Sequence, residues 1–308
     1  MISRTTESKG LAALLLGAVC IGFAPLWVRW SETGPVATAF HRVLLALPAL
    51  GLWALRERDT LPVPWSPADR RWTVAAGVFF ALDLAAWHLS IRFTSVANAT
   101  LLANFAPIFV SLGAWFFLRE SVSMRFALGM VLALAGAWLL TGASLATNAA
   151  HVKGDVLGLV TAAFYGVYQL SVARLRRRHP SGRILFFGSL TCIPLLGMIA
   201  YSLNERLLPV SAQGWLVLLG LAITAQVFGQ GLITYGFAHL PAGYSSLTLL
   251  LQPLVAATAA WLLLGESITA QQMLGGFILI TGILLARHTR ASAPAADGNS
   301  AGASSPRR

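Results

Sequence analysis

Again and again this chain runs apolar for about twenty residues at a stretch, and that feature decides its fold class. Twenty residues at 1.5 Å each make a helix about 30 Å long, the thickness of a bilayer's hydrocarbon core. No water pairs with backbone N–H and C=O groups there, so a spanning segment must satisfy its own. A helix does this within one segment. A barrel strand would be about ten residues of alternating polarity, and these runs do not alternate. They lie at 10–28, 35–55, 72–91, 96–118, 126–145, 155–173, 184–203, 215–238, 243–264 and 271–286. The sequence therefore predicts an all-α membrane protein with ten transmembrane helices. The first run is longer than the apolar stretch of a signal peptide and reads as the first helix.

Charge is scarce and clustered. Only 11% of residues are charged, against about 25% in soluble domains. With the N-terminus in the cytoplasm, 17 of the 22 lysines and arginines fall on the cytoplasmic side, including Arg174, Arg176, Arg177, Arg178 and Arg183. Four fall outside and Arg42 lies within a span. The positive-inside rule then puts both termini in the cytoplasm of a multi-pass inner-membrane protein. The net charge of +11 does not point to nucleic acid. The arginines flank apolar runs and build no single basic face with stacking aromatics. Cys20 and Cys192 sit inside apolar runs without metal-ligand spacing, so neither a metal nor a disulfide is expected.

The chain also repeats itself. An offset of 146 places Leu101 on Leu247, Pro107 on Pro253, Trp115 on Trp261, Glu120 on Glu266, Gly129 on Gly275 and Gly136 on Gly282, without a gap. The first and sixth runs match at an offset of 144, Gly22 with Gly166. The halves are expected at 1–146 and 147–290. The tail, 291–308, is rich in Ala, Ser, Pro and Gly and is expected to be disordered in the cytoplasm. Five spans per half is odd, so the second copy enters the membrane from the opposite side. The repeats are thus inverted about an axis in the membrane plane, an arrangement typical of secondary transporters, whose site lies between the halves near the midplane.

The segments ANATLLANFAPIFVSLGAWFFLRES in the fourth run and AGYSSLTLLLQPLVAATAAWLLLGES in the ninth resemble the drug/metabolite transporter superfamily, specifically its ten-helix EamA type. The resemblance covers nearly the whole chain outside the tail. It implies transport of a small organic metabolite, an amino acid or related compound, with export the expected direction. A non-transporting scaffold or sensor partner is the alternative.

Candidate site residues follow from cost. A charge in the bilayer interior is expensive and reads as functional by default. Arg42, Asp83 and His88 are such residues, with His41. Arg42 and Asp83 lie roughly 10 and 13 Å from the same membrane surface by helical rise, close enough to pair, either to couple protons to cargo or as a structural ion pair that fixes the second and third helices. Trp87 is one turn from Asp83. With Asn104, Tyr168, Gln230 and Gln252 these are the substrate-cavity candidates, on spans that include one, three, four, six, eight and nine. Pro107 and Pro253, at matched places within spans, are candidate hinges. The chain has no G-x-x-x-x-G-K-[ST], H-E-x-x-H or G-x-S-x-G. No enzyme, no catalytic residue and no cofactor is expected. The partners expected are a small-molecule substrate, the lipid bilayer and coupled protons.

Overall fold

The computed structural model describes residues 4–57, 64–91, 93–94, 96–141, 149–265 and 267–287. The tail and Glu266 lie outside the described residues. Among those described the secondary structure is helical throughout. Nine helices among the described residues are long and apolar enough to cross a membrane. They are α1 (Thr5–Arg29), α2 (Pro35–Arg56), α3 (Pro67–Ser90), α4 (Asn98–Leu118), α5 (Met124–Thr141), α6 (Val152–Leu175), α7 (Ser181–Ser202), α8 (Ala212–Gly236) and α9 (Ala242–Leu263). A tenth, α10 (Ala270–Ala286), is 17 residues long. Large apolar side chains stand exposed on the outside, among them Phe277 at 71% and Met198 at 64%, as lipid contact requires.

Some helices start at a cap outside the apolar run. Ser66 caps α3: its hydroxyl accepts from Asp69 N and the Asp69 carboxylate accepts from Ser66 N, both at 3.1 Å. This capping box starts α3 five residues before the expected apolar boundary. Thr269 and Gln272 make the same box on α10. Other N-termini are capped by carboxylates from the opposite half of the chain. Glu57 accepts from Gly182 N (2.7 Å) at the start of α7, and Glu205 accepts from Ala37 N (2.9 Å) at the start of α2. Glu120, at the end of α4, accepts from Ala242 N (3.1 Å) at the start of α9. Glu32 accepts from Ser211 ahead of α8, and these hydrogen bonds hold its carboxyl below the usual range. Anions at helix N-termini also meet the positive end of the helix dipole.

The halves are related by a two-fold exchange. α2 packs on α7 and α5 on α10, each pairing a helix with its own repeat mate. α3 packs on α6, and α8 on α1 in the equivalent way. The details are reciprocal. A Cβ added to Gly51 would lie 3.2 Å from Phe186, and one on Gly197 would lie 3.2 Å from Phe40. Both pairs are 146 residues apart in register. Along the α5–α10 seam a Cβ on Gly129 would lie 2.6 Å from Gly282 O, and one on Gly282 would lie 2.6 Å from Gly129 O. Gly136 and Gly275 face each other likewise, at 2.7 and 2.8 Å. Backbones in van der Waals contact are how helices associate in lipid, where apolar burial drives little. We predict that Gly136→Leu costs on the order of 3 kcal/mol by overpacking this seam. Leu132→Ala, on a more exposed position of the same helix, should leave the detergent melting transition nearly in place. Equal melts for the two variants would refute the seam.

Candidate functional site

Two helices are broken at matched places. α4 is helical to Ala103 and resumes at Ala106; α9 is helical to Thr248 and resumes at Leu251. Pro107 and Pro253 follow within a turn. Each lacks an N–H and its ring crowds the turn before it. The backbone tightens there: Asn104 N bonds Leu101 O at 3.0 Å, and Leu250 N bonds Leu247 O at 3.1 Å. Positions 104 and 250 are 146 apart. Beside both breaks lies a cavity of about 150 Å³, counted as room for the centres of water molecules. A single water needs about 10–15 Å³ by that measure, so a small organic solute fits. Irregular backbone inside a membrane is tolerated where it lines such a space.

Arg42, Asp83, Trp87, His88, Asn104, Pro107, Gln230, Gln252 and Pro253 all line this cavity. Tyr168 does not. It stands one layer back, its hydroxyl donating to Gln230 Oε1 at 3.1 Å and its ring stacked on Phe80 and Tyr165. Tyr165 takes the wall position instead. The expected helices contribute, and α2 joins them through Ala39 and Arg42. Thr100, Thr161 and Ser246 also line the space. Small hydroxyls are common in membrane helices, and nothing in the sequence marks these three.

The charges are arranged differently from expectation. Arg42 Nε donates to Gln226 Oε1 at 3.1 Å, and the guanidinium leans over the Phe80 ring at 5.8 Å. Among the described residues no ion pair joins Arg42 to Asp83; the pairs recorded join Asp69 to Arg178 and His179 at the far end of α3. On α8, Gln226 and Gln230 are four residues apart on one buried face, within the π-helical stretch Ala222–Gln230, and Gln226 meets the arginine. Asp83 and Arg42 remain at one cavity, 7% and 8% exposed.

Several polar atoms here have no partner. They are His88 Nε2, Asn104 Nδ2, Gln252 Nε2, Ser246 Oγ and both amide atoms of Gln169. A buried polar atom left unpaired costs about 1–3 kcal/mol. So many around one space suit it to a polar guest. The equivalent positions in the second half carry no charge. At the offset of 146, Gly188 replaces Arg42 and packs its carbonyl on Gly77, while Gly229 replaces Asp83 and packs on Ile21. The charged lining therefore belongs to one half only.

Known proteins give the same frame. The profile of the EamA-like transporter family matches residues 8–142 and again 152–287. An uncharacterised transporter of Archaeoglobus fulgidus is 26% identical, the match covering 90% of this chain and 96% of that one. The pseudopaline exporter CntI of Pseudomonas aeruginosa is 25% identical over 70% of this chain and 74% of its own. A probable terminal-alkyne amino-acid exporter of Streptantibioticus cattleyicolor is 28% identical over 92% and 91%. A solved crystal structure superposes with a TM-score of 0.75, covering 92% of this chain and 98% of its own at 18% identity, a likeness of fold.

The Arg42–Gln226 contact is testable by a double-mutant cycle. Gln226→Leu should destabilise the protein by about 1–3 kcal/mol, because it strands a buried guanidinium. Adding Arg42→Met should recover part of the loss. Additive losses in detergent melts would show that the two side chains do not act together.

Proposed function

Because the chain belongs to the EamA-like transporter family, we propose that it is a secondary, non-ATP-driven exporter of a small organic metabolite, an amino acid or related compound. We place it in the inner membrane with both termini in the cytoplasm. The observation that carries this reading is the cavity. Two matched helix breaks face it, and unpartnered buried polar atoms surround it. In this reading the halves 1–146 and 147–290 supply two symmetry-related states, and the helices between the α2–α7 and α5–α10 pairs move, with Pro107 and Pro253 as hinges. Two relatives named as exporters, one of pseudopaline and one a probable exporter of a terminal-alkyne amino acid, support export, and the second supports an amino-acid-like cargo.

Protons drive the cycle in this proposal, with Asp83 as their carrier. It is a buried carboxylate at the cavity, free of an ion pair among the described residues. The other titratable groups facing the space are Arg42 on α2, His88 on α3 and Tyr165 on α6. Proteoliposomes loaded with the metabolite should release it faster when a pH gradient is imposed. Metabolomics of a deletion strain against an overexpressing strain identifies the compound to load. Asp83→Asn should leave the protein folded and make flux indifferent to the gradient. Wild-type gradient dependence in that variant would remove Asp83 from the coupling. Orientation is tested separately: a cytoplasmic reporter fused after Arg287 should be active, and activity of a periplasmic reporter there would overturn the topology.

A further inference from the structure

We propose that Asp83 and His88, on α3, form an amine subsite in the cavity, and that the guest docks with its ammonium on these two acceptors. The Nδ1 atom of His88 lies 2.6 Å from Leu84 O. A carbonyl only accepts, so Nδ1 carries the ring's proton. The neutral ring then presents a lone pair at Nε2, an acceptor. That atom is buried, has no partner and belongs to a cavity-lining residue that is 3% exposed. A histidine serving only the core would need the Leu84 contact and nothing more. It would not leave its second nitrogen unpaired beside an open space.

Asp83 supplies the second acceptor. Asp83 lines the same cavity without an ion pair among the described residues, and once it has given up its proton its carboxylate has only acceptor oxygens. The donors come from elsewhere: Arg42 from α2, Asn104 Nδ2 from the α4 break and Gln252 Nε2 from the α9 break. The lining therefore offers acceptors on α3 and donors on α2, α4 and α9, with both amide atoms of Gln169 on α6 beside them. An ammonium has three donors and no acceptor; a carboxylate is the reverse. A guest carrying both groups satisfies both sets in one orientation. The positions equivalent to Asp83 and Arg42 in the second half are Gly229 and Gly188, so the reversed orientation has no charged partner there.

This proposal rests on the cavity being the transport site, and the test separates the two. The probes are L-phenylalanine, 2-phenylethylamine and 3-phenylpropanoate. They share one body, which suits the aromatic walls Phe80 and Trp87, and differ in the amine and the carboxylate. Binding to the purified full-length protein is measured by titration calorimetry. L-Phenylalanine should bind at least about tenfold more tightly than 3-phenylpropanoate, the scale expected for one charged hydrogen-bonded end. In Asp83→Asn and in His88→Leu that ratio should fall toward one. His88→Gln, which keeps an acceptor oxygen, should restore part of it. Arg42→Gln should move the ratio of 2-phenylethylamine to 3-phenylpropanoate the other way. Melts of the unliganded variants identify any that fails to fold, and the remaining α3 variants then carry the test. The subsite is overturned if the wild type binds L-phenylalanine and 3-phenylpropanoate equally, if no amine-bearing probe binds, or if the ratio survives in the folded α3 variants. Binding and flux of 3-phenylpropanoate without any amine preference would sink the subsite and leave transport standing. No efflux of any solute would sink transport whatever the ratio.

Discussion

A bilayer offers no hydrogen-bond partner, and every part of this structure answers to that constraint. It forces the chain into helices, and it makes each helix end a liability of unpaired N–H groups. The protein meets that liability across the repeat. Glu57 caps α7, Glu205 caps α2 and Glu120 caps α9, so each of these N-termini is completed by the other half of the chain. The α2–α7 pair is bonded in this way at both ends at once. Such a pair is a poor candidate for sliding apart. The glycine seam of α5 and α10 is a second fixed contact, made of backbone on backbone. Motion is better placed in the helices between these pairs, and α4 and α9 carry their breaks there.

Duplication accounts for the frame, and divergence accounts for the site. The reciprocal contacts Gly51–Phe186 and Gly197–Phe40 are equal to a tenth of an ångström. The lining of the cavity shares none of that symmetry. Glycine in the second half lets helices close where arginine and aspartate in the first half hold space open. Two-fold exchange would interconvert the two sides, yet the polar groups cannot be exchanged. They stay on α2 and α3 whichever side is open.

The spans and the repeat were legible because both are one-dimensional signals. Apolar length reports the bilayer, and a gapless offset reports duplication. The helix ends were legible in part: α2, α9 and α10 start within a residue of their apolar runs, whereas capping by Ser66 starts α3 outside the run that marks it. The broken helices were half legible: Pro107 and Pro253 announce the turns before them. The cavity's charged residues could be named because charge in a membrane is rare. Their partners could not. Gln226 lies 184 residues from Arg42, and only the packing of α8 against α2 brings the two together. Tyr168 and Tyr165 differ by less than one turn, and only packing on Phe80 decides that one stands behind the other.

The failure of Arg42 and Asp83 to pair is the more useful arrangement. A buried ion pair gains attraction against a large desolvation cost, and a guest arriving between the partners would have to break it. A glutamine orients the guanidinium through Nε without neutralising it. Phe80 supports its face at little electrostatic cost to a carboxylate approaching the edge. Asp83, unpaired among the described residues, keeps its charge or its proton for whatever enters. Both charges thus stay available at the cavity, held apart by neighbours that do not cancel them. Had the ion pair formed, the cavity would be stable when empty and indifferent to a dipolar guest. Left open, its stability depends on occupancy, and that is the coupling a carrier needs between binding and the next step of its cycle.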